Sequence, residues 1–434
     1  MNKKRIITIA FFLIFALVSG QENSWPFTKC METALQNNIE IKIKLLEVKR
    51  IQKSQNSILN RILPSVNLYG EHNYNFGSTI DPSTNGRVSS NIQNDNFYLN
   101  AKTNLIDFIA FANAKKDKIS IEIAKAEKEV VENEYKLQLL ESYYQALYTQ
   151  ELLKIQKEQL HQASFNLDRI TKEVTIGSKP QSDLYDMQLS YSEEENSYIT
   201  SQQLYEIQKM QLFQLMNVLN VATETVVLEV YFDENKPDSV EHTNYNPKIK
   251  RAEFQYENSL KSISLERANN LPVVSAFYSY STFYYKNIKE VNSFTDSFSN
   301  QLDDNKSQQV GMQLAIPIFN GFRNNKRIIA SKIESQKSKL VIEQEKQELE
   351  KQVALEEKNK RNYLELQDKL QQRQKYAQAS FTTMQAKFAN ARVEAIVYSS
   401  VKNQLLKAEY DVLKNNLQLQ YIALKINLLK YNGI

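Results

Sequence analysis

The sequence predicts an internally duplicated, mainly helical chain that carries four alternating β-strands of membrane-crossing length. Three observations support that expectation. Glycine and proline are scarce and clustered, so most of the chain is free to run as uninterrupted helix. A pattern of helix, strand, loop, strand, long helix, turn and helix occurs twice. The strands in it alternate apolar and polar residues over about 10–12 positions, enough to cross a membrane when tilted.

The 434 residues hold 8 Gly and 8 Pro, where average usage gives roughly 30 and 20. None lies between Gly86 and Gly177, or between Gly321 and Gly433. Interior Pro or Gly is what ordinarily ends a helix, so most of both gaps reads as long helix. At the N-terminus, Lys3, Lys4 and Arg5 precede the apolar run Ile6–Val18, and Val18-Ser19-Gly20 offers small residues for cleavage before Gln21. Residues 1–20 therefore read as a secretory signal peptide, since the apolar run is too short for a good transmembrane helix.

Without that segment the chain has 51 basic against 50 acidic residues, so no nucleic-acid partner has electrostatic support. Cys30 is the single cysteine and the three histidines are scattered, which leaves no disulfide and no cysteine-based metal site. No catalytic residue, metal ligand or cofactor is expected, and the chain does not read as an enzyme. The mean hydropathy of −0.51 is that of a polar chain, but alternating barrel strands escape a hydropathy test.

The duplication is read from matched junctions. Leu63-Pro64-Ser65-Val66 pairs with Leu271-Pro272-Val273-Val274, and Asn104-Leu105-Ile106-Asp107 with Pro317-Ile318-Phe319-Asn320. Gly177-Ser178-Lys179-Pro180 falls opposite Ala391-Arg392-Val393-Glu394. The offsets drift only from 208 to 214, as loops of changing length between fixed elements would produce. The first repeat is expected over 21–220, with a β-hairpin at about 64–106 and a long helix hairpin at about 110–219. A linker and equatorial element follows at 221–246. The second repeat covers 247–434, with its hairpin at about 272–319 and its helices at about 321–430.

In the first copy a helix is expected over Cys30–Ile62, ended by Pro64. The strand Ser65–Phe76 then places Val66, Leu68, Gly70, His72, Tyr74 and Phe76 on one face, and Asn67, Tyr69, Glu71, Asn73 and Asn75 on the other. Its return puts Phe97, Leu99, Ala101, Thr103 and Leu105 opposite Asn96, Tyr98, Asn100, Lys102 and Asn104. The second copy has Val274, Ala276 and Tyr278 on its apolar face, a loop at 286–306, and a return with Val310, Met312, Leu314, Ile316 and Ile318. Soluble hairpins packed on a core also alternate. Polar faces this rich in Asn, Gln and Tyr suit a water-filled lumen, and Val66, Leu68, Phe97, Leu99, Val274, Val310, Met312 and Leu314 are expected to face lipid.

Four strands cannot close a barrel, and an open edge in lipid leaves backbone groups unpaired. Eight strands from two chains enclose an interior filled by side chains, whereas twelve from three leave a passage, which favours a trimer. The helical patterns Asn113–Ile176 and Asn324–Phe388 extend roughly 95 Å at about 1.5 Å per residue, with returns over Pro180–Leu219 and Val393–Leu429. The stretch Glu343–Arg361 is dominated by charged and Gln residues, with only Leu349, Val353, Ala354 and Leu355 apolar, which suits a narrow seam between helices with water on both sides. A hollow cylinder and a solid coiled-coil rod both have such seams.

Local motifs carry a family resemblance. Trp25-Pro26-Phe27 through Asn38, with Ala34-Leu35-Gln36-Asn37-Asn38 at its end, resembles the opening helix of the TolC-like outer membrane efflux proteins. Leu314-Ala315-Ile316-Pro317-Ile318-Phe319-Asn320-Gly321 resembles that family's strand-to-helix junction, marked by Pro317, Phe319, Asn320 and Gly321. Gly177 with Ser182 and Asp183 resembles its turn between long helices. The resemblance implies a trimeric 12-stranded β-barrel in the outer membrane of a Gram-negative bacterium, continued by a 12-helix periplasmic α-barrel.

It further implies a passive conduit for efflux or type I secretion, working with a periplasmic adaptor (a membrane fusion protein) and an inner-membrane RND-type or ABC-type pump. A periplasmic coiled-coil scaffold without a pore is the competing function, although a scaffold has no use for four membrane-length strands. The first junction departs from the motif, with Asn104 and Phe108 where the second has Pro317 and Gly321. At the second turn Ala391 replaces glycine, and Asn390 is expected to take the left-handed conformation instead.

By the same resemblance the helix tips Gly177, Ser178, Lys179, Pro180, Ala391 and Arg392 are the adaptor-docking candidates. Asp183 and Asp186, spaced i, i+3 on one helical face, either favour their helix N-terminus or form a carboxylate ring at the periplasmic entrance. Val397 and Ser400 occupy the matching second-copy positions.

Overall fold

The computed structural model describes residues 23–55, 57–80, 85–89, 91–218, 226–229, 246–288, 296–390 and 392–431. The expected signal peptide, Ala391 and most of the linker at 221–246 lie outside them. In chain order the elements are β1 (Asn23–Trp25), α1 (Phe27–Asn37), α2 (Ile39–Ser54), α3 (Ile58–Ile62), β2 (Ser65–Asn75), β3 (Ser78–Ile80), β4 (Arg87–Ser89) and β5 (Ile92–Ile106). There follow α4 (Phe108–Thr175), α5 (Gln181–Leu215), β6 (Val226–Leu228), α6 (Pro247–Ala268), β7 (Val273–Asn287), α7 (Phe298–Asp304), β8 (Ser307–Ala315), α8 (Arg323–Ala389) and α9 (Ala395–Tyr431).

The chain forms two compact units. One takes residues 1–47, 125–251 and 343–434, the other 48–124 and 252–342. Each unit therefore draws on both sequence repeats.

In the first unit, β1 lies parallel to β6, and a core gathers around Tyr143. Its hydroxyl lies 3.0 Å from the Trp25 carbonyl and 2.7 Å from that of Glu229, and accepts from the Glu229 N–H at 3.1 Å. Gln150 serves β6 in the same way: its amide nitrogen donates to the Leu228 carbonyl and its oxygen accepts from the Leu228 N–H, both at 2.8 Å. Buried backbone groups of a short strand are thus satisfied by helix side chains, as burial requires. Trp25, Phe27, Cys30, Leu139, Leu147, Leu212 and Leu428 fill the surroundings.

The second unit holds one antiparallel sheet in the order β2-β5-β7-β8. Directly opposed residues in an antiparallel pair share a face, so the register sorts every side chain. Val66 is opposite Ala101, which is opposite Tyr278, which is opposite Val310. Leu68, Leu99 and Tyr280 form the next row outward, followed by Gly70, Phe97 and Thr282, and then His72, Asp95 and Tyr284. Toward the helices, Val274 is opposite both Ile106 and Leu314, and Met312 is opposite Ala276. The other face carries Asn67, Asn100, Ser279 and Gln309 in one row, Tyr69, Tyr98, Ser281 and Ser307 in the next, and Glu71 and Asn96 beyond.

Several sequence expectations are corrected. The single helix over Cys30–Ile62 is three, because it breaks twice. The Asn38 side chain accepts from the Ile41 N–H at 2.9 Å and caps α2, and the Ser57 hydroxyl accepts from the Asn60 N–H at 3.1 Å and caps α3, roles Asn and Ser fill at helix starts. The register slips between Asn104 and Ile106, so Ile106 and not Leu105 joins the apolar face. Strand β8 ends at Ala315, which leaves Ile316 and Ile318 outside the ladder on either side of Pro317, a residue without a donor. Helix α4 starts five residues earlier than expected, because the Asp107 carboxylate accepts from the N–H groups of Ile109 and Ala110 at 2.9 and 3.1 Å. The loop at 286–306 contains α7.

Candidate functional site

The candidate residues fall in three places: the helix-hairpin tips, the two faces of the sheet, and the junctions between strand and helix. At the first tip the Gly177 N–H donates to the Val174 carbonyl and the Ser178 N–H to that of Glu173, both at 2.9 Å. With Gly177 at φ +76°, this is a Schellman motif, whose left-handed residue favours glycine. Gly177, Ser178 and Pro180 are exposed. At the second tip the Arg392 N–H donates to the Lys387 carbonyl at 2.9 Å, the same long closing bond. Asn390 is not among the left-handed residues; its side chain donates to the Ala386 carbonyl at 2.8 Å instead. The expectation of a left-handed Asn390 is therefore corrected.

The two tips pack on one another through Ile170, Met187, Phe381, Phe388, Tyr398 and Leu405. Tyr398 stacks on Phe388 with ring centroids 4.3 Å apart. The Arg169 guanidinium lies 4.4 Å above the same ring and donates to the Phe388 carbonyl at 2.9 Å. A cation is thus held against the carbonyl end of α8, where the helix dipole favours positive charge. Deeper in, Lys402 is almost fully buried, 3.8 Å from Glu194 and donating to the Gln159 carbonyl at 3.2 Å. Burial pushes its pKa down, and Glu194 opposes that shift.

The structure separates the two candidate carboxylates. Asp183 accepts from Lys179 at 3.1 Å, and both side chains are nearly covered. Asp186, one turn on, lines an open cleft of about 510 Å³ with Arg373, Ser399, Ser400 and Lys407. Ser400, its second-copy counterpart, shares that cleft. The Lys179–Asp183 pair has i, i+4 spacing, a signal present in the sequence. The contacts of Arg169, Tyr398 and Lys402 join helices far apart in sequence and had no local signal.

On the sheet, Leu68 is 74% exposed, Met312 69% and Val310 82%, so no described residue covers this part of the apolar face. The polar face is linked internally: Tyr69 stacks on Tyr98 at 5.3 Å, the Tyr98 hydroxyl donates to Glu71 at 2.5 Å, and Ser279 donates to Asn100 at 2.7 Å. Only Glu71 and Lys102 carry charge in its paired rows. Gly311 sits beneath the Phe277 ring, which a Cβ at Gly311 would approach within 2.6 Å.

At the second junction Gly321 and Phe322 both have positive φ, +67° and +62°. A bulky side chain there is uncommon; its ring packs edge-on to Phe319 at 5.5 Å. Pro317 and Asn320 lie in the same turn, and the Asn320 carbonyl accepts from the Arg323 side chain at 3.1 Å.

The model of the outer membrane efflux protein family matches residues 30–218 and 241–426. The chain belongs to the outer membrane efflux protein family. Solved structures agree on the fold. The CusC transmembrane channel is 16% identical with a TM-score of 0.75, covering 94% of this chain and 92% of its own. The VceC outer membrane protein of Vibrio cholerae is 13% identical, TM-score 0.72, covering 93% and 94%. The CmeC outer membrane channel of Campylobacter jejuni is 11% identical, TM-score 0.75, covering 94% and 86%. No curated protein sequence matches the chain.

This member of the efflux family is an outer-membrane efflux channel, in a family of conduits and not of enzymes. It resides in the outer membrane of a Gram-negative cell, with its helical part in the periplasm. Among the described residues no helix is long and apolar enough to cross a membrane, and no group of three or more His, Cys, Asp or Glu is placed to hold a metal ion.

Proposed function

We propose that three copies of the chain close one 12-stranded barrel, and that their long helix hairpins form a 12-helix tunnel through which cargo leaves passively. The supporting observation is the four-stranded sheet itself, with Leu68, Val310 and Met312 exposed on its apolar face, an opposite face mostly of Asn, Ser, Gln and Tyr that also holds Phe277 and Phe283, and edges at β2 and β8 that no described strand pairs. Each backbone group left unpaired in lipid costs several kcal/mol, so the edges of neighbouring copies complete one another. In this reading Val66, Leu68, Phe97, Leu99, Val274, Val310, Met312 and Leu314 meet lipid.

A periplasmic adaptor docks at Gly177–Pro180 and at Ala391 and Arg392, and couples the conduit to an inner-membrane RND-type or ABC-type pump. The open side of Asp186 supplies the entrance carboxylate, while Asp183, neutralised by Lys179, braces the tip behind it. Fractionation and conductance test the reading together. The full-length protein is expected in outer-membrane fractions as a detergent-stable trimer that conducts ions in planar bilayers. Recovery as a soluble monomer without conductance contradicts it.

A further inference from the structure

The short helix α7 stands where no described strand pairs with the end of β7. Strand β7 runs to Asn287, but its pairing with β8 stops at Ser281 opposite Ser307. Above that point the β7 edge is satisfied by α7. Gln301 donates to the Tyr285 carbonyl at 3.0 Å and accepts from the Tyr285 N–H at 2.9 Å. Asn305, just past the helix, donates to the Phe283 carbonyl at 2.9 Å. The Thr282 hydroxyl donates to the Leu302 carbonyl at 2.6 Å.

These bonds hold α7 against the apolar side of the sheet. Phe298 packs on Tyr284 at 5.1 Å and on Phe97 at 6.4 Å, and both of those belong to the face of Leu68 and Val310. Phe298 nevertheless stays 45% exposed, while Asp303 and Asp304 are exposed beside Lys306, which pairs with Asp303. The helix therefore presents an aromatic next to an apolar surface and charges at its far end.

Its height is set by the strand. From Val274, in the innermost apolar row, to Tyr284 is ten residues, about 33 Å along a strand and about 25 Å along the membrane normal at a tilt of ~40°. An outward apolar band is about 25 Å tall. The row of Tyr284 also contains His72 and Asp95, which contact each other, and Gln93, one row further out, donates to Asp95 at 2.9 Å. Apolar side chains give way to polar ones at the level where α7 lies.

We propose that α7 is a lipid-interface anchor: Phe298 and Leu302 seat at the boundary between acyl chains and headgroups of the outer leaflet, and α7 also seals the upper β7 edge. The proposal rests on the apolar sheet face being lipid-facing. Its surface is continuous with that face, and its partner is the lipid surface, not a second copy of the chain.

Nitroxide labels on single introduced cysteines test it, because the buried Cys30 thiol is protected. Phe298→Cys, Ser299→Cys, Leu68→Cys, Asn67→Cys and Asp304→Cys are each reconstituted as full-length protein in phosphatidylcholine–phosphatidylglycerol vesicles. Collision rates with oxygen and with a water-soluble nickel complex are then compared. The expected oxygen-to-nickel ratio is highest at Leu68 and lowest at Asn67 and Asp304, with 298 several-fold above Asp304 and 299 between them. If Leu68 reads as lipid while 298 and 299 match Asp304, the anchor is overturned and the sheet reading stands. Labels at 298 and 299 inaccessible to both agents place α7 against another chain, which also overturns it. A Leu68 label that reads as water removes the sheet reading itself.

Discussion

Placing a lysine at Leu68 is expected to destabilise the membrane-inserted chain by about 2–4 kcal/mol, whereas a lysine at the adjacent Asn67 is not. The depth follows from the register. Leu68 is opposite Leu99 and, through it, Tyr280, six residues beyond Val274. Six residues at ~3.3 Å, tilted by ~40°, put it about 15 Å from the base of a band about 25 Å tall, close to the midplane. Asn67 lies at nearly the same depth on the same strand and faces the other way, so depth and strand position are controlled. Its replacement on a hydrated face is expected to change stability by about 0.5 kcal/mol or less. Urea-induced unfolding of both variants from lipid vesicles, followed by loss of tyrosine fluorescence, gives the comparison. Equal losses at the two positions would refute the assignment of faces; no loss at either would place the sheet outside lipid.

Other outcomes follow from the helical unit. Gly177→Ala forces a Cβ into φ +76° and should cost about 1–2 kcal/mol, read as a lower thermal midpoint, with Gly177→Asn milder. Burial pushes the Cys30 thiol up to about 12 from an ordinary 9.0. Because the folded value is the higher one, that contribution to stability is complete below pH 9 and is lost as pH rises toward 12. Maleimide should therefore label Cys30 only after denaturation, and rapid labelling of the folded protein at neutral pH would contradict its burial. Asp186→Asn should reduce cation selectivity in bilayer recordings, with Ser400→Asp increasing it. Asp183→Asn should act more on stability, since it breaks the covered pair with Lys179. An unchanged reversal potential in Asp186→Asn and Ser400→Asp would remove the entrance carboxylate.

Period-2 alternation and the repeated junctions made the strands and their faces readable, because a sheet with one wetted face forces each side chain to declare its side. The long helices were readable from the missing Gly and Pro. Their breaks were harder: Asn38 and Asp107 act through single side-chain caps, and each was masked by an otherwise helical or strand-like run. The bulge at Leu105 had no local mark, because Leu105 and Ile106 are both apolar and either one suits the face. In the sequence α7 reads as loop because its seven residues have no amphipathic period of their own; the β7 edge holds them. At the tips, spacing exposed the Lys179–Asp183 pair in principle, but the burial that sets it apart from Asp186 arises only when α5 packs.

The central claim is that β2 of one copy pairs with β8 of the next, three times around. Cysteine at Asn67 combined in turn with cysteine at Gln309, Gly311 or Gln313 tests this in intact outer membranes, since facing residues of paired strands lie within disulfide reach. The account predicts that at least one combination yields cross-linked dimer and trimer, no larger species, and no product with either cysteine alone. Monomer throughout, or a ladder extending beyond trimer, would contradict it.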